Sequence, residues 1–191
     1  MDREPSLRAV NWKKELAGRG ECSWKSETLS PALPDDIEDR ALDVLRSTTQ
    51  KCLKIATAES CTGGLLASLL TDVEGYGRCF DRGFVTYTDG SKTDLLGVPN
   101  EILKHDGAVS WRGAEAMLRG ALERSLAEVA VAITGFAGAG APGEEPGLVF
   151  IAVGRRGEDA QVQEHHFGDV GRAEVRLRCL RTALNMLLNI L

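Results

Sequence analysis

Four stretches of the chain combine residue types that could do chemistry. In the first, Ala56 to Leu65 (ATAESCTGGL), a strand runs into a sharp turn whose last residues, Gly63 and Gly64, open a helix. Two glycines there cost about 1 kcal/mol each in helix propensity, a penalty that makes sense where backbone must approach something closely. Free amides at a helix start attract an anion or a developing oxyanion, and Ser60 and Cys61 stand just ahead of them. From spacing alone a plainer reading stands beside this one, with Ser60 or Thr62 as a helix N-cap and Cys61 as a small core residue. The second stretch is Phe84 to Val98 (FVTYTDGSKTDLLGV), where Tyr87 ends a strand, Asp89-Gly90 signals a turn and Lys92 follows. A desolvated lysine can serve as base for a nearby serine. Bringing its pKa from ~10.4 to ~7.5 needs roughly 4 kcal/mol of destabilisation of the charged form, whereas an ordinary loop lysine stays solvated.

The third stretch, Thr134 to Gly147 (TGFAGAGAPGEEPG), holds a literal GxGxxG at Gly138, Gly140 and Gly143. A dinucleotide fingerprint needs a helix next, and here Pro142, Pro146 and a strand follow, which argues against that use. A ligand-lining glycine loop and a plain surface loop remain. The fourth is Gly168 to Arg176 (GDVGRAEVR), in which Arg172 and Arg176 share one face of a helix start. Cations there oppose the helix dipole, and a bound phosphate or carboxylate would relieve the conflict. Glu174 offsets it in part, so a solvated face is the alternative. His165-His166 reads as a strand-edge pair with no further ligands at metal spacing, and no metal is expected.

The elements that must position these residues are legible from Pro34 onward. Asp35 with Glu38 makes a capping-box pair ahead of a helical stripe at Ile37, Ala41, Leu42 and Leu45. Strands are expected over 52–58, over 79–88 with a break at Arg82-Gly83, and over 129–134, 148–154 and 161–167. Helices are expected over 62–71, over 92–105 with an interruption at Gly97-Val98-Pro99, from a Ser110 cap to about Ala127, and over 172–191, the last carrying Leu177, Leu180, Leu184, Leu187, Leu188 and Leu191 on one side. Strands alternating with helices predict one α/β domain, with a mixed, mostly parallel sheet flanked by helices in a three-layer arrangement. Two consecutive late strands supply the antiparallel part.

Composition narrows the function. The 191 residues suit one domain rather than two, and 43% hydrophobic with 27% charged residues is globular. The net charge of −5 repels phosphate backbones and the aromatic share is only 5%, so nucleic acid is not an expected partner. The five cysteines (Cys22, Cys52, Cys61, Cys79, Cys179) are scattered without a CxxC, as reduced cytosolic thiols would be. No apolar run reaches the ~18 residues that cross a bilayer, so neither membrane nor export is expected and a cytoplasmic location is. Residues 1–33 carry six basic and five acidic residues with two of the three tryptophans and no persistent period. They read as a disordered leader, as sequence ahead of the true start, or as a partner-binding arm.

Taken in order, TAESCTGG (57–64), FDRGFVTYT with the SK and LLGV that follow it (80–98), HDGAVS (105–110), VAVAITGFAG (129–138) and the closing GD, R, VR helix resemble the C-terminal domain of the competence/damage-inducible CinA family. The resemblance covers about Pro34 to Leu191, and free-standing members of that family include nicotinamide-mononucleotide deamidases. It implies a cofactor-free hydrolase of pyridine-nucleotide recycling that takes ammonia from the carboxamide of nicotinamide mononucleotide, with Ser60 as nucleophile, Lys92 as its base and Tyr87 nearby. The amides of Cys61, Thr62, Gly63 and Gly64 could receive the oxyanion. Arg172 or Arg176, with Thr134, Gly135 and Gly138, are the expected phosphate and ribose contacts. The resemblance further implies a homo-oligomer, and a stand-alone form, since 33 residues cannot contain the molybdopterin-related domain of larger members. Two departures fall in the expected ligand shell. Ala139, Ala141 and Glu144-Glu145-Pro146-Gly147 replace a richer glycine loop ending in Lys-Pro-Val-Gly, and a compact Gly-Asp-Arg is stretched to Gly168-Asp169-Val170-Gly171-Arg172. The altered loop motivates the alternative of a non-catalytic pyridine-nucleotide-binding or competence/damage-associated partner module.

Overall fold

The computed structural model describes residues 33–138 and 143–191. All but the last residue of the expected leader, and residues 139–142 of the glycine run, lie outside the described residues. The elements are α1 (Asp35–Gln50), β1 (Ile55–Glu59), α2 (Leu65–Asp72), a 3-10 turn (Gly77–Cys79), β2 (Phe80–Val85), α3 (Asp89–Leu96), α4 (Asn100–His105), α5 (Trp111–Glu123), β3 (Val129–Gly135), β4 (Leu148–Arg155), β5 (Gln161–His166) and α6 (Arg172–Ile190). The sheet order is β2-β1-β3-β4-β5. β1 runs parallel to both its neighbours, and β4 runs antiparallel to β3 and β5. The expected mixed α/β sheet is what forms.

Side-chain size sorts the two faces. Val129, Val131 and Ile133 of β3, with Val149, Ile151 and Val153 of β4, meet α1, α2 and α6. Ala56 and Ala58 of β1, Ala130 and Ala132 of β3, and Ala152 of β4 meet α5 and the end of α3. Alternate residues of a strand face opposite sides, so large-small alternation gives one deep layer and one shallow layer. α5 fits the shallow side through its own small residues. A Cβ on Gly120 would lie 2.0 Å from the Leu96 carbonyl oxygen, and one on Gly113 would lie 2.5 Å from that of Ala108. The spacing of α3 from α5 is therefore set by absent side chains.

Local signals survive in part. Ser110 caps α5, accepting from the Gly113 amide at 2.9 Å. The Asp35/Glu38 capping box does not form: Pro34 is the cap residue without a side-chain bond, and Asp35, Asp36 and Glu38 sit inside the first turn, where negative charge suits the dipole. Gly83 does not break β2. It lies within the strand because a Cβ there would come within 2.9 Å of both Ala67 Cβ and Thr57 Oγ1. The 92–105 stretch is two helices, α3 ending on left-handed Gly97 (φ 69°), whose amide and that of Val98 close on Thr93 and Lys92 carbonyls.

Two glycine substitutions should move stability in opposite directions. Gly120→Ala drives a methyl into the Leu96 carbonyl and should cost about 1–3 kcal/mol in urea unfolding. Gly90→Ala, in the first turn of α3 with nothing within 4 Å of its Cβ, should stabilise by up to ~1 kcal/mol.

Candidate active site

The topology singles out the carboxyl end of β1. The chain leaves β1 through α2, on the α1/α6 side, to reach β2, then returns through α3, α4 and α5, with α3 and α5 on the opposite side, to reach β3. Connections diverging to opposite faces leave a crevice at the switch point, where ligands of open α/β sheets bind. The ladder extends one step beyond the strands: the Ser60 amide donates to Ile133 O at 3.0 Å and the Thr86 amide to Glu59 O at 2.8 Å. Ser60, Thr86 and Thr134 thus stand at the ends of three adjacent parallel strands.

The turn after β1 is built around Glu59. This carboxylate is fully buried and accepts from the amides of Gly64 (3.1 Å) and Leu66 (3.0 Å) on Oε2 and of Ala67 (2.8 Å) on Oε1. A buried charge needs such donors, and a helix N-terminus has orphan amides to supply. α2 consequently begins at Leu65 rather than Thr62, and neither Ser60 nor Thr62 caps it. Gly63 (φ 64°) and Gly64 (φ 89°) take the left-handed conformations that fold the turn back onto Glu59. This corrects the expected oxyanion donors. The Gly63 amide is taken by Ser60 O at 3.1 Å and the Gly64 amide by Glu59. Of the four expected donors, only the Cys61 and Thr62 amides are bound to neither carbonyl nor carboxylate. Ser60 and Thr62 are buried, and Thr62 Oγ1 has no hydrogen-bond partner.

Lys92 lies in the first half of α3, which begins three residues before the expected helix start. Thr88 and Ser91 form a reciprocal capping box that starts α3 and aims its first turn. Lys92 is 2% exposed, and its Nζ donates to Tyr87 O at 3.3 Å. Burial holds the amine below the usual lysine range, partly offset by Asp89 and by the Cys61 thiol of the turn. Tyr87 therefore meets Lys92 through its carbonyl, while its side chain is 64% exposed.

The α6 arginines reach the same turn. Arg176 donates from Nη2 to Thr62 O, and its Nε is buried without a partner. Arg172 opens α6, its charge acts on the Cys61 thiol, and its Cβ lies 3.9 Å from where a Gly138 Cβ would sit. Thr134 Oγ1 donates to Ala108 O at 2.9 Å, and Gly135 is backed by Leu148 and Val149 with no room for a side chain. His165 stacks on Phe167, and His166 pairs with Glu145 and Glu164. Among the described residues no group of three or more His, Cys, Asp or Glu could hold a metal, and no helix is long and apolar enough to cross a membrane.

Two residues of the site were not singled out from sequence. Glu59 had a usable signal, since a carboxylate closing an otherwise apolar strand must find donors. Thr86, fully buried with an unpartnered Oγ1, follows β2, where strand alternation puts it on the side of Phe84. Glu59→Gln leaves one acceptor but turns an amide NH2 toward a backbone N–H. It should cost about 1–3 kcal/mol in thermal or urea unfolding, more than any single substitution of the exposed Glu74.

Comparison with known proteins agrees with this fold. A CinA-like protein from Akkermansia muciniphila is 51% identical over 116 residues, covering 60% of this chain and 28% of that protein. A CinA-like protein from Geotalea daltonii is 46% identical over 136 residues, covering 70% and 32%. The chain spans about a third of the length of the relatives it matches. Among solved structures, the competence/damage-inducible protein CihA from Agrobacterium tumefaciens superposes with a TM-score of 0.80 at 46% identity, covering 84% of this chain and 99% of that one. A CinA superfamily protein from Escherichia coli gives 0.77 at 35% identity, covering 86% and 96%. Residues 37–191 match the family model of the CinA C-terminal domain, and the chain belongs to that family.

Proposed function

We propose that the protein hydrolyses the carboxamide of nicotinamide mononucleotide, giving nicotinate mononucleotide and ammonia. The observation that carries this reading is Lys92, a buried lysine whose Nζ donates to Tyr87 O just beyond β2 and whose amine burial holds below the usual lysine range. A carboxamide is a weak electrophile, so it needs an activated nucleophile and donors for the tetrahedral oxyanion. Neutral Lys92 Nζ takes the Ser60 proton as Oγ attacks the carboxamide carbon. The oxyanion is met by the Cys61 and Thr62 amides. Lys92 returns its proton to the departing nitrogen, which leaves as ammonia, and a second round with water in place of Ser60 frees the acid. Arg172, Arg176 and the amino end of α6 suit the 5′-phosphate, with Thr134, Gly135 and Gly138 bordering the ribose side. The exposed Val85, which ends edge strand β2, and Tyr87 just beyond it support association of copies beside the site. A soluble mononucleotide substrate fits a cytoplasmic enzyme.

Ammonia release from nicotinamide mononucleotide by the purified protein tests the reading. Activity should rise with pH through the depressed Lys92 pKa and fall by about a thousandfold or more in Ser60→Ala. Tight binding of the mononucleotide without ammonia release would instead favour a binding module. Arg172→Gln should raise KM roughly tenfold with little change in kcat, as loss of a phosphate contact made equally in ground and transition states. An unchanged KM would move the phosphate elsewhere.

Lys92→Met separates catalysis from stability. Because the folded state disfavours Lys92 protonation, the native lysine costs stability wherever the unfolded chain would protonate it. The cost is full below the folded pKa and vanishes above the unfolded value of ~10.4. The inactive Lys92→Met variant should therefore melt higher than wild type at neutral pH, with the difference closing as pH rises past ~10.4.

A further inference from the structure

Arg176 stands 114 residues beyond Thr62, yet its Nη2 donates to Thr62 O at 2.5 Å. The backbone's own donor to that carbonyl, the Leu65 amide, is longer at 3.4 Å. Thr62 O belongs to the same planar peptide as the Gly63 amide, which donates to Ser60 O at 3.1 Å. The plane is therefore held at both ends, by α6 on its oxygen and by Ser60 on its nitrogen. Glycine tolerates many conformations, and Gly63, at φ 64°, offers no side chain to resist rotation of that plane. A Cβ on Gly63 would lie 3.8 Å from Arg176 Nη2, so the guanidinium lies against the turn itself.

The placement of Arg176 is fixed but not free of cost. Its neighbours Val175, Cys179 and Leu180 are packed in the deep layer and set where its stem leaves α6. Its Nε is buried without a partner, a penalty that an arginine serving stability alone would avoid. What the placement secures is the stretch on which the proposed reaction depends. The Cys61 and Thr62 amides there are bound to neither carbonyl nor carboxylate, and Ser60 stands just ahead of them. Arg172, one helical turn earlier, makes no hydrogen bond to this turn among the described residues.

We propose that Arg176 is a positioning residue, which braces the Thr62 carbonyl and so holds the Cys61 and Thr62 amides where the oxyanion forms. It touches no reacting atom and acts through the backbone of the turn. Its effect on rate rests on the Ser60–Lys92 reading, whereas the brace itself stands on the hydrogen bonds alone. The two arginines then divide the work of α6. Arg172, with the amino end of the helix, holds the phosphate and bears on KM. Arg176 bears on kcat, because the braced amides stabilise charge that exists only in the transition state. Loss of one oxyanion donor costs about 100- to 1,000-fold in kcat, and a displacement of about 1 Å costs on the order of a hundredfold.

Arg176→Met removes the donor and keeps an unbranched apolar stem. With nicotinamide mononucleotide, kcat should fall on the order of a hundredfold while KM stays within about twofold. An unchanged kcat, with or without a raised KM, would overturn the assignment. Amide hydrogen exchange, read by NMR on the full chain, tests the brace without turnover. The Gly63 amide should exchange about tenfold faster or more in Arg176→Met, as loss of a charged hydrogen bond on its own peptide plane. The Gly64 amide, held by Glu59, should keep its wild-type rate. Equal Gly63 exchange in the two proteins would overturn the brace. Arg176→Lys retains one cationic donor and should recover part of both losses, and it is the variant to read should Arg176→Met fail to fold. Because exchange needs no substrate, a wild-type protein that releases no ammonia would refute the amidase reading and still decide whether Arg176 braces the turn.

Discussion

A single carboxylate organises the chemistry of this fold. Glu59 ends β1 in a place no water reaches, and its charge is tolerable there only because the first amides of α2 converge on it. That requirement dictates the two left-handed glycines, the tight return of the chain and the late start of α2. It also decides what the helix end can bind. Glu59 fills the anion position at the amino end of α2, and Arg176 of α6 donates to the turn at Thr62 O. The same carboxylate fixes where Ser60 sits, one residue on, between the ends of β2 and β3.

Lys92 is brought to that place by a different constraint, the thinness of the layer on the opposite face. Alanines on β1, β3 and β4 let α5 press close to the sheet, and Gly120 of α5 lets the end of α3 press close to α5. Lys92 is then covered on a helix whose capping box and left-handed terminator fix its register. Its desolvation is a consequence of packing and holds the amine below the usual lysine range. The deep face contributes α6, which touches the turn through Arg176. Both layers thus bear on the end of β1.

Much of this was legible in the sequence, and the misses share a cause. The alternation of strands and helices, the Ser110 cap and the interruption at Gly97-Val98-Pro99 all follow from local pattern. The break at Arg82-Gly83 and the Asp35/Glu38 cap were local inferences that tertiary contacts overrode. Gly83 answers to Ala67 across the α2 interface, and Asp89-Gly90, a turn signal in isolation, is the start of a helix capped by Thr88. Whether an amide is free or engaged is likewise invisible to spacing, which is why Gly63 and Gly64 looked like oxyanion donors before Glu59 and Ser60 O were seen to hold them. Tyr87 contributes a carbonyl where its side chain drew attention.

Trapping the covalent intermediate tests the Ser60–Lys92 assignment most directly. Wild-type protein mixed with nicotinamide mononucleotide and quenched in acid within a turnover should show, by peptide mass, an ester of the pyridine carboxyl on the peptide containing Ser60, absent in Ser60→Ala. Ammonia release by Ser60→Ala at the wild-type rate, with no adduct on the wild-type Ser60 peptide, would contradict it.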